Sequence, residues 1–350
     1  MADLRSDTVT RPTPAMLEAM MRARVGDDVY GEDESVNELQ DMAAAIFGRE
    51  AALFCPSGTM TNQIAIKVHT QPGDEVICDR VSHVYSNEGG GIAFHSGASV
   101  RLLNGDRGRF TAGQVRENIN PAADAHCPVT RLVSVENSVN RGGGCCWDMA
   151  ELVRIRAVCD ESKMALHLDG ARLFNALAAK NQSAGQYGKI FDTISVCLSK
   201  GLGAPAGSLL IGSKEHIARA HRLRKVMGGG MRQAGYIAAA GIYALKHHVE
   251  RLIQDHDRAR RIEGELRRLP YVESVLPVET NIVIFDLREH VSTGEFLRHL
   301  DVDGIKASAI GPRTIRFVFH LDVGEEQVAN VAEAVKSFAA RSSGRKHDLG

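Results

Sequence analysis

No run in this 350-residue sequence approaches the roughly 18 consecutive apolar residues that a membrane span needs. The opening MADLRSDTVTRP is charged from its third residue and lacks the apolar stretch of a secretory leader. A cytoplasmic protein is expected. Neither sign of charge dominates: 42 Lys and Arg face 43 Asp and Glu, a net charge of −1 at pH 7. There is thus no basic field to attract nucleic acid or an anionic membrane. The seven cysteines form no C-x-x-C pair, and vicinal Cys145 and Cys146 are poorly placed for an ordinary disulfide. They read as reduced core thiols, and no metal site is expected. Internal repeats and low-complexity tracts are also absent. So are the G-K-[ST] ending of a Walker loop and a G-x-G-x-x-G turn after a strand, which counts against NAD.

What is present is the composition of an ordinary globular protein, 44% hydrophobic and 24% charged, long enough for one large domain with a smaller companion. Residues 34–47, ESVNELQDMAAAIF, read as a helix opened by a capping box of Ser35 and Glu38 and closed at Gly48. Short apolar or β-branched runs follow from 51, 75, 100, 131, 164, 194 and 208, with helical patterns between them from 61 and 149. That alternation predicts a mainly parallel, doubly wound sheet covered on both faces. The region 231–269 is almost entirely helix-forming and could bridge two domains. Beyond it, NIVIFDL, GEFLRHL, TIRFVFHL and EEQVANVAEAVKSFAARS read as a small α/β unit, and the last residues as a disordered tail.

Four stretches could carry chemistry. TISVCLSKGLGAP runs a buried strand into Lys200 and then into glycines. Lys200 either keeps its head in water by snorkelling or serves as a Schiff-base nucleophile in a partly desolvated pocket, with Gly201, Gly203 and Gly207 leaving room for a planar cofactor. MALHLDGARL closes a strand on Asp169, which is either a turn residue or a group facing the crevice where ligands bind at parallel strand ends. FCPSGTMTNQIAI places Ser57, Gly58 and Thr59 at a helix start, as simple caps or as a phosphate cradle. RVSHVYSNEGGG sets His83, Tyr85 and Glu88 beside three glycines; His83 could stack on a ring, and either His83 or Glu88 could be a surface residue. Together, a phosphate cradle, a stacking candidate, an acid for a ring nitrogen and an imine-forming lysine make up a pyridoxal phosphate site.

The sequence resembles the threonine aldolase family, the low-specificity and L-allo type, within the aspartate-aminotransferase-like fold of pyridoxal phosphate enzymes. The resemblance runs through LRSDTVTRPTPAM, GDDVYGEDESVNELQ, FCPSGTMTNQIA, SHVYSNEGG, HLDGARLFNA, CLSKGLGAPAGSLL, RLRKVMGGGMRQAG and RFVFHLDV. It implies an N-terminal arm and large cofactor-binding domain over 1–245, a small C-terminal α/β domain over 246–343 and a tail over 344–350. It implies retro-aldol cleavage of β-hydroxy-α-amino acids to glycine and an aldehyde. By the same resemblance Lys200 carries the pyridoxal 5'-phosphate, Asp169 pairs with its ring nitrogen, His83 stacks on the ring, and Ser57, Gly58 and Thr59 hold the phosphate. Ser6, Arg172 and Arg316 are expected to bind the substrate carboxylate, and Tyr30, Tyr85 and His126 to lie near the substrate; His83 and His126 are the candidate bases. Lys225 and Arg232 match basic residues that reach the cofactor site from a neighbouring subunit, implying a homo-oligomer, a tetramer of catalytic dimers. The stretch VENSVNRGGGCCW departs from the family pattern at Ser138 and Val139 and in its glycine and cysteine cluster. The alternatives are another pyridoxal phosphate lyase, β-eliminating or serine hydroxymethyltransferase-like, and a non-catalytic α/β binding protein.

Overall fold

The computed structural model describes residues 1–344, with side chains as far as Phe338; the expected tail, beyond its first residue, lies outside the described residues. A two-residue strand, β1 (Ala2–Asp3), begins the chain. Seven strands then build the main sheet: β2 (Ala51–Cys55), β3 (Asp74–Asp79), β4 (Ser99–Leu103), β5 (Val129–Glu136), β6 (Ala165–Gly170), β7 (Thr193–Cys197) and β8 (Ser208–Gly212). Each of the seven runs picked out above is one of these strands. Their order is β2-β8-β7-β6-β5-β3-β4, and only β8 runs against the rest. β7 and β8 are buried at every residue, as expected of strands covered on both faces. The expected doubly wound, mainly parallel architecture is the one observed.

Two helix expectations need correction. The helix Glu34–Phe47 is capped by Asp33, whose Oδ1 accepts the Val36 N–H at 3.0 Å. Ser35 instead donates its hydroxyl to the Arg24 carbonyl at 2.8 Å, and Glu38 pairs with Lys246, so the capping box does not form. Asp33 prevails because it also accepts from the N–H groups of Gly26 and Gly235, which ties three segments together. The C-terminal stop is as read: Gly48 is left-handed at φ 61°. The region 231–269 is two helices, Gly235–His247 and Leu252–Leu266. They part where His248 turns its Nδ1 to the Leu202 carbonyl at 2.7 Å.

The C-terminal part adds β9 (Val272–Val275), β10 (Ile282–Leu287), β11 (Ile305–Lys306), β12 (Ser308–Ala309) and β13 (Thr314–Val318), with helices Thr293–Val302 and Glu325–Gly344. Its antiparallel sheet has the order β12-β13-β10-β9, while β11 pairs in parallel with β1. Two main apolar cores result. One lies on the large sheet, and the other gathers Phe285, Phe296 and Phe317 with Ile262 and Leu266. Edge-to-face contacts at 5.2 and 5.9 Å join the three phenylalanines. Ala2 and Leu4 belong to this second core, so the first residues of the chain lie against its last third.

The glycine and cysteine cluster forms a tight turn. Gly143 and Gly144 are left-handed at φ 74° and 70°, and a Cβ at Gly144 would lie 2.1 Å from Thr280 Oγ1. Thr280 donates to the Gly144 carbonyl at 2.8 Å, docking this loop on the C-terminal part. Cys145 and Cys146 are free and buried, and of the seven thiols only Cys127 is partly exposed.

Candidate active site

All seven strands present an end at one edge of the main sheet. β2, β3, β4, β5, β6 and β7 end there, and β8 begins there because it is reversed. The register sets Glu136 opposite Asp169, Asp169 opposite Ser195, and Cys197 opposite Ser208. A crevice of this kind at parallel strand ends is where ligands bind in open α/β sheets.

Lys200 lies in the turn after β7 and donates from Nζ to Cys197 Sγ at 3.1 Å. Its own carbonyl accepts the Gly203 N–H at 2.8 Å, a turn closed with Gly203 left-handed at φ 81°. Burial disfavours its ammonium, yet Cys197, Asp7 and Asp169 outweigh both burial and Arg172, so its pKa lies above the usual lysine value. Asp169 is buried; Oδ1 accepts the Ala171 N–H at 3.1 Å, and Oδ2 has no partner among the described residues. A buried carboxylate oxygen without a donor is costly unless a ligand supplies one. Ser57 caps the helix Gly58–His69 through the Met60 N–H at 3.2 Å, and its carbonyl accepts the Thr61 N–H. The Gly58 and Thr59 N–H groups, at the positive end of the helix dipole, remain for an anion. A Cβ at Gly58 would lie 2.5 Å from Cys197 Sγ, and the buried Ser208 Oγ beside it has no partner among the described residues.

His83 donates its backbone N–H to Glu136 at 2.8 Å, and its Nδ1 lies 2.8 Å from Glu88 Oε1. Glu88 is buried, which settles its reading against a surface charge, and it also accepts from Asn62 at 2.8 Å and Gln63 at 2.5 Å. The hydrogen bond to Glu88 raises the His83 pKa above the ordinary value against the effect of burial, with help from Asp169 and Glu136. Burial and Asp169 push the Glu136 carboxyl above its usual range. Ligand atoms of His83, Glu88 and Asp169 lie within 4.8 Å of one another. Both Glu88 oxygens are committed to N–H donors, which a cation would have to displace.

Arg172 is more constrained than the sequence implies. Its Nε and Nη2 each meet a carboxylate oxygen of buried Asp7 at 2.7 Å, and Asn281 donates to the same carboxylate at 3.3 Å. Arg316 reaches Asn140 Oδ1 at 2.8 Å and the Arg5 carbonyl at 3.0 Å, has no carboxylate partner among the described residues, and leaves Nε unpaired. Burial and then Arg172 lower its pKa to about 10. Its planar fork has the geometry that suits an anion. Ser6 Oγ accepts from the backbone and hydroxyl of Thr8 at 3.2 and 2.9 Å.

The other expected residues are exposed at the surface. Tyr30 is 75% exposed and Tyr85 44%. His126 is held by Asp124 at 3.0 Å with its side chain 95% exposed. Arg232 pairs with Asp27 at 2.9 Å, and Gly230 packs between Val29 and exposed Lys225, so Tyr30, Lys225 and Arg232 share one surface. A cavity of about 360 Å³ lined by His69, Asp74, Arg131, Lys163 and Arg219 lies at the opposite end of the strands. Asp7, Glu136, Asn62, Gln63 and His167 were not singled out in the sequence. Glu136 closes a strand just as Asp169 does, and the same rule finds it.

A sheet whose strand ends gather a lysine, an unpaired buried aspartate and a phosphate-ready helix start defines a fold type I pyridoxal phosphate enzyme. The chain belongs to the beta-eliminating lyase family, whose description matches residues 3–290. Over 344 residues it is 44% identical to the low specificity L-threonine aldolase of Escherichia coli (strain K12), covering 97% of this chain and 100% of that one. It is 37% identical over 332 residues to low-specificity L-threonine aldolase 1 of Arabidopsis thaliana, 93% of each chain. The threonine aldolase structure from Leishmania major shares the fold at a TM-score of 0.85 and 20% identity, covering 97% of this chain and all of that one.

Proposed function

We propose that this chain is a pyridoxal phosphate-dependent aldehyde-lyase that cleaves L-threonine, L-allo-threonine and related β-hydroxy-α-amino acids, reversibly, to glycine and an aldehyde. The observation that carries this is the pairing of Lys200 with the orphaned Asp169 oxygen at neighbouring strand ends, in a chain 44% identical to an L-threonine aldolase over its full length. Pyridoxal phosphate, when bound, supplies an electron-withdrawing ring that takes up the electron pair left at Cα as the Cα–Cβ bond breaks.

The protein's own groups do the rest. Lys200 is the attachment point, and the Gly58 and Thr59 N–H groups with Ser57 and Ser208 bind the phosphate. Asp169 Oδ2 holds a proton on the ring nitrogen. Arg316, with what remains free of Arg172, fixes the substrate carboxylate and so selects which Cα bond is aligned for cleavage. His83 accepts the β-hydroxyl proton at Nε2, the nitrogen that Glu88 does not occupy. His126, exposed beside Asp124, reaches a reacting hydroxyl only if a second copy brings it there, together with Tyr30, Lys225 and Arg232. This reading requires a homo-oligomer built from catalytic dimers. No helix among the described residues is long and apolar enough to cross a membrane; with its free thiols, the protein is assigned to the cytoplasm. The family description favours one rival, β-elimination, in which serine would yield pyruvate and ammonia with no aldehyde.

Two outcomes follow. Asp169→Asn cannot hold the ring proton by charge, and turnover is expected to fall about 10²- to 10³-fold, with cofactor still attached, as read by steady-state rate and visible absorbance together. A base at His83 must be neutral, so kcat/KM rises with pH through a midpoint above the usual histidine value of 6.5. Glu88→Gln removes the largest cause of the raised pKa, and the midpoint then moves down.

A further inference from the structure

The hydrogen bonds that hold Glu88 do not stop at Asn62. Asn62 Oδ1 lies 3.1 Å from His167 Nε2; His167 Nδ1 lies 2.9 Å from Thr193 Oγ1 and 3.1 Å from the Thr193 carbonyl; and Thr193 Oγ1 lies 3.0 Å from His69 Nε2. These residues come from the helix Gly58–His69 and from β6 and β7, and all except His69 are almost fully buried. His69 closes the far end, its ring edge-on to His216 at 4.7 Å, beside the cavity at the opposite end of the strands.

Donor and acceptor roles along this path are determined by the groups themselves. A carboxylate only accepts, so Asn62 must present its NH₂ to Glu88 and its oxygen to His167. His167 must then donate from Nε2. Burial lowers the His167 pKa to about 4 and that of His69 to about 3, so both rings are neutral at pH 7. A neutral His167 that donates from Nε2 has its lone pair on Nδ1, which accepts a hydrogen bond from the Thr193 hydroxyl while the Thr193 carbonyl at 3.1 Å receives no N–H from this ring, and Thr193 Oγ1 accepts in turn from His69 Nε2–H. Every donor therefore points toward Glu88. Gln63 adds another N–H, and His83 the last from Nδ1.

We propose that this one-directional chain, from His69 through Thr193, His167 and Asn62, keeps Glu88 an acceptor and so makes Asn62 and His167 positioning residues that hold His83 with its Nε2 lone pair toward the crevice. Without it, the buried Glu88 carboxylate loses stabilisation, and the Glu88–His83 pair takes up a proton from solvent already at a higher pH: one hydrogen then lies on Glu88, facing His83 Nδ1, and the other on His83 Nε2, where it blocks the base. The inference rests on the aldolase reading only for that last consequence. The ionisable groups facing His83 are Glu88, Asp169 and Glu136; facing His167, Asp169; and facing His69, His216, His167, Asp192 and Arg219.

The test is carbethoxylation of His83 by diethyl pyrocarbonate, which attacks a neutral ring nitrogen. It is followed against pH by peptide mass spectrometry on the full-length protein with and without pyridoxal phosphate, while acetaldehyde release is assayed in parallel. His167→Leu is expected to move the midpoint up and so to lower the rate at pH values below it about threefold, in the range of one hydrogen bond between neutral groups. His167→Gln, which keeps an N–H for Asn62, restores most of the rate. In a Glu88→Gln background, His167→Leu should add nothing further. Should His167→Leu fail to fold, Asn62→Ala cuts the same path on a helix that tolerates alanine and carries the same expectations. Unchanged His83 reactivity in a folded variant, or an undiminished effect in the Glu88→Gln background, overturns the proposal. Absent acetaldehyde with the expected His83 pattern would defeat the aldolase reading and leave the chain standing.

Discussion

Replacing Lys200 by alanine is expected to abolish the visible absorbance of lysine-bound pyridoxal phosphate and to lower turnover on the order of 10⁴-fold or more, because no second amine replaces an activated nucleophile. Within the crevice, Lys200 is the lysine placed beside Cys197 and under the field of Asp7 and Asp169. Among the described residues its side chain makes a single hydrogen bond, to Cys197, so the thermal midpoint should stay close to that of the parent protein. Loss of colour with an unchanged melting curve identifies the attachment point. A variant that keeps both colour and turnover would place the chemistry elsewhere.

Replacing Asp7 by alanine should have the largest effect on stability. The Arg172 guanidinium is buried and both of its bonded nitrogens face Asp7, so removing the carboxylate strands a charge inside the protein. Breaking a buried pair from one side costs about 3–5 kcal/mol. Arg172 holds the Asp7 pKa below the usual carboxylate value although burial pushes the other way. The same carboxylate joins the N-terminal arm to the start of the helix Leu173–Lys180 and to Asn281 ahead of β10, so the arm should loosen as stability falls. Urea unfolding followed alongside proteolysis of the first residues measures both effects. A change below about 1 kcal/mol would mean that water solvates Arg172 once Asp7 is gone.

The sheet was legible because each strand is a short apolar run punctuated by glycine or a helical pattern, and the seven runs need no long-range information to be seen. The helix start at Asp33 was not. Asp33 and Ser35 are equally good caps by local chemistry, and the choice falls to Gly26 and Gly235, far away in sequence. The break between Gly235–His247 and Leu252–Leu266 carries no proline or glycine, and only a buried histidine reaching the Leu202 carbonyl reveals it.

In the site, Lys200, Asp169 and Ser57 were legible as strand-end or helix-start residues, whose position follows from the local pattern alone. Glu88 looked like a surface charge because its donors, Asn62 and Gln63, lie some 25 residues earlier on another helix. The grip of Asp7 on Arg172 spans 165 residues and leaves no local trace. The resemblance implies a carboxylate binder at Arg172, but not one whose Nε and Nη2 are already taken by Asp7.

The central claim, that Lys200 and Asp169 frame a pyridoxal phosphate site for retro-aldol cleavage, is tested most directly in one cuvette. The visible spectrum of the protein with pyridoxal phosphate is recorded before and after L-allo-threonine is added, while acetaldehyde is measured. A band that shifts with substrate, accompanied by acetaldehyde and glycine in equal amounts, is the result predicted. A band without acetaldehyde would contradict the reaction and turn attention to β-elimination, and no band at all would contradict the site itself.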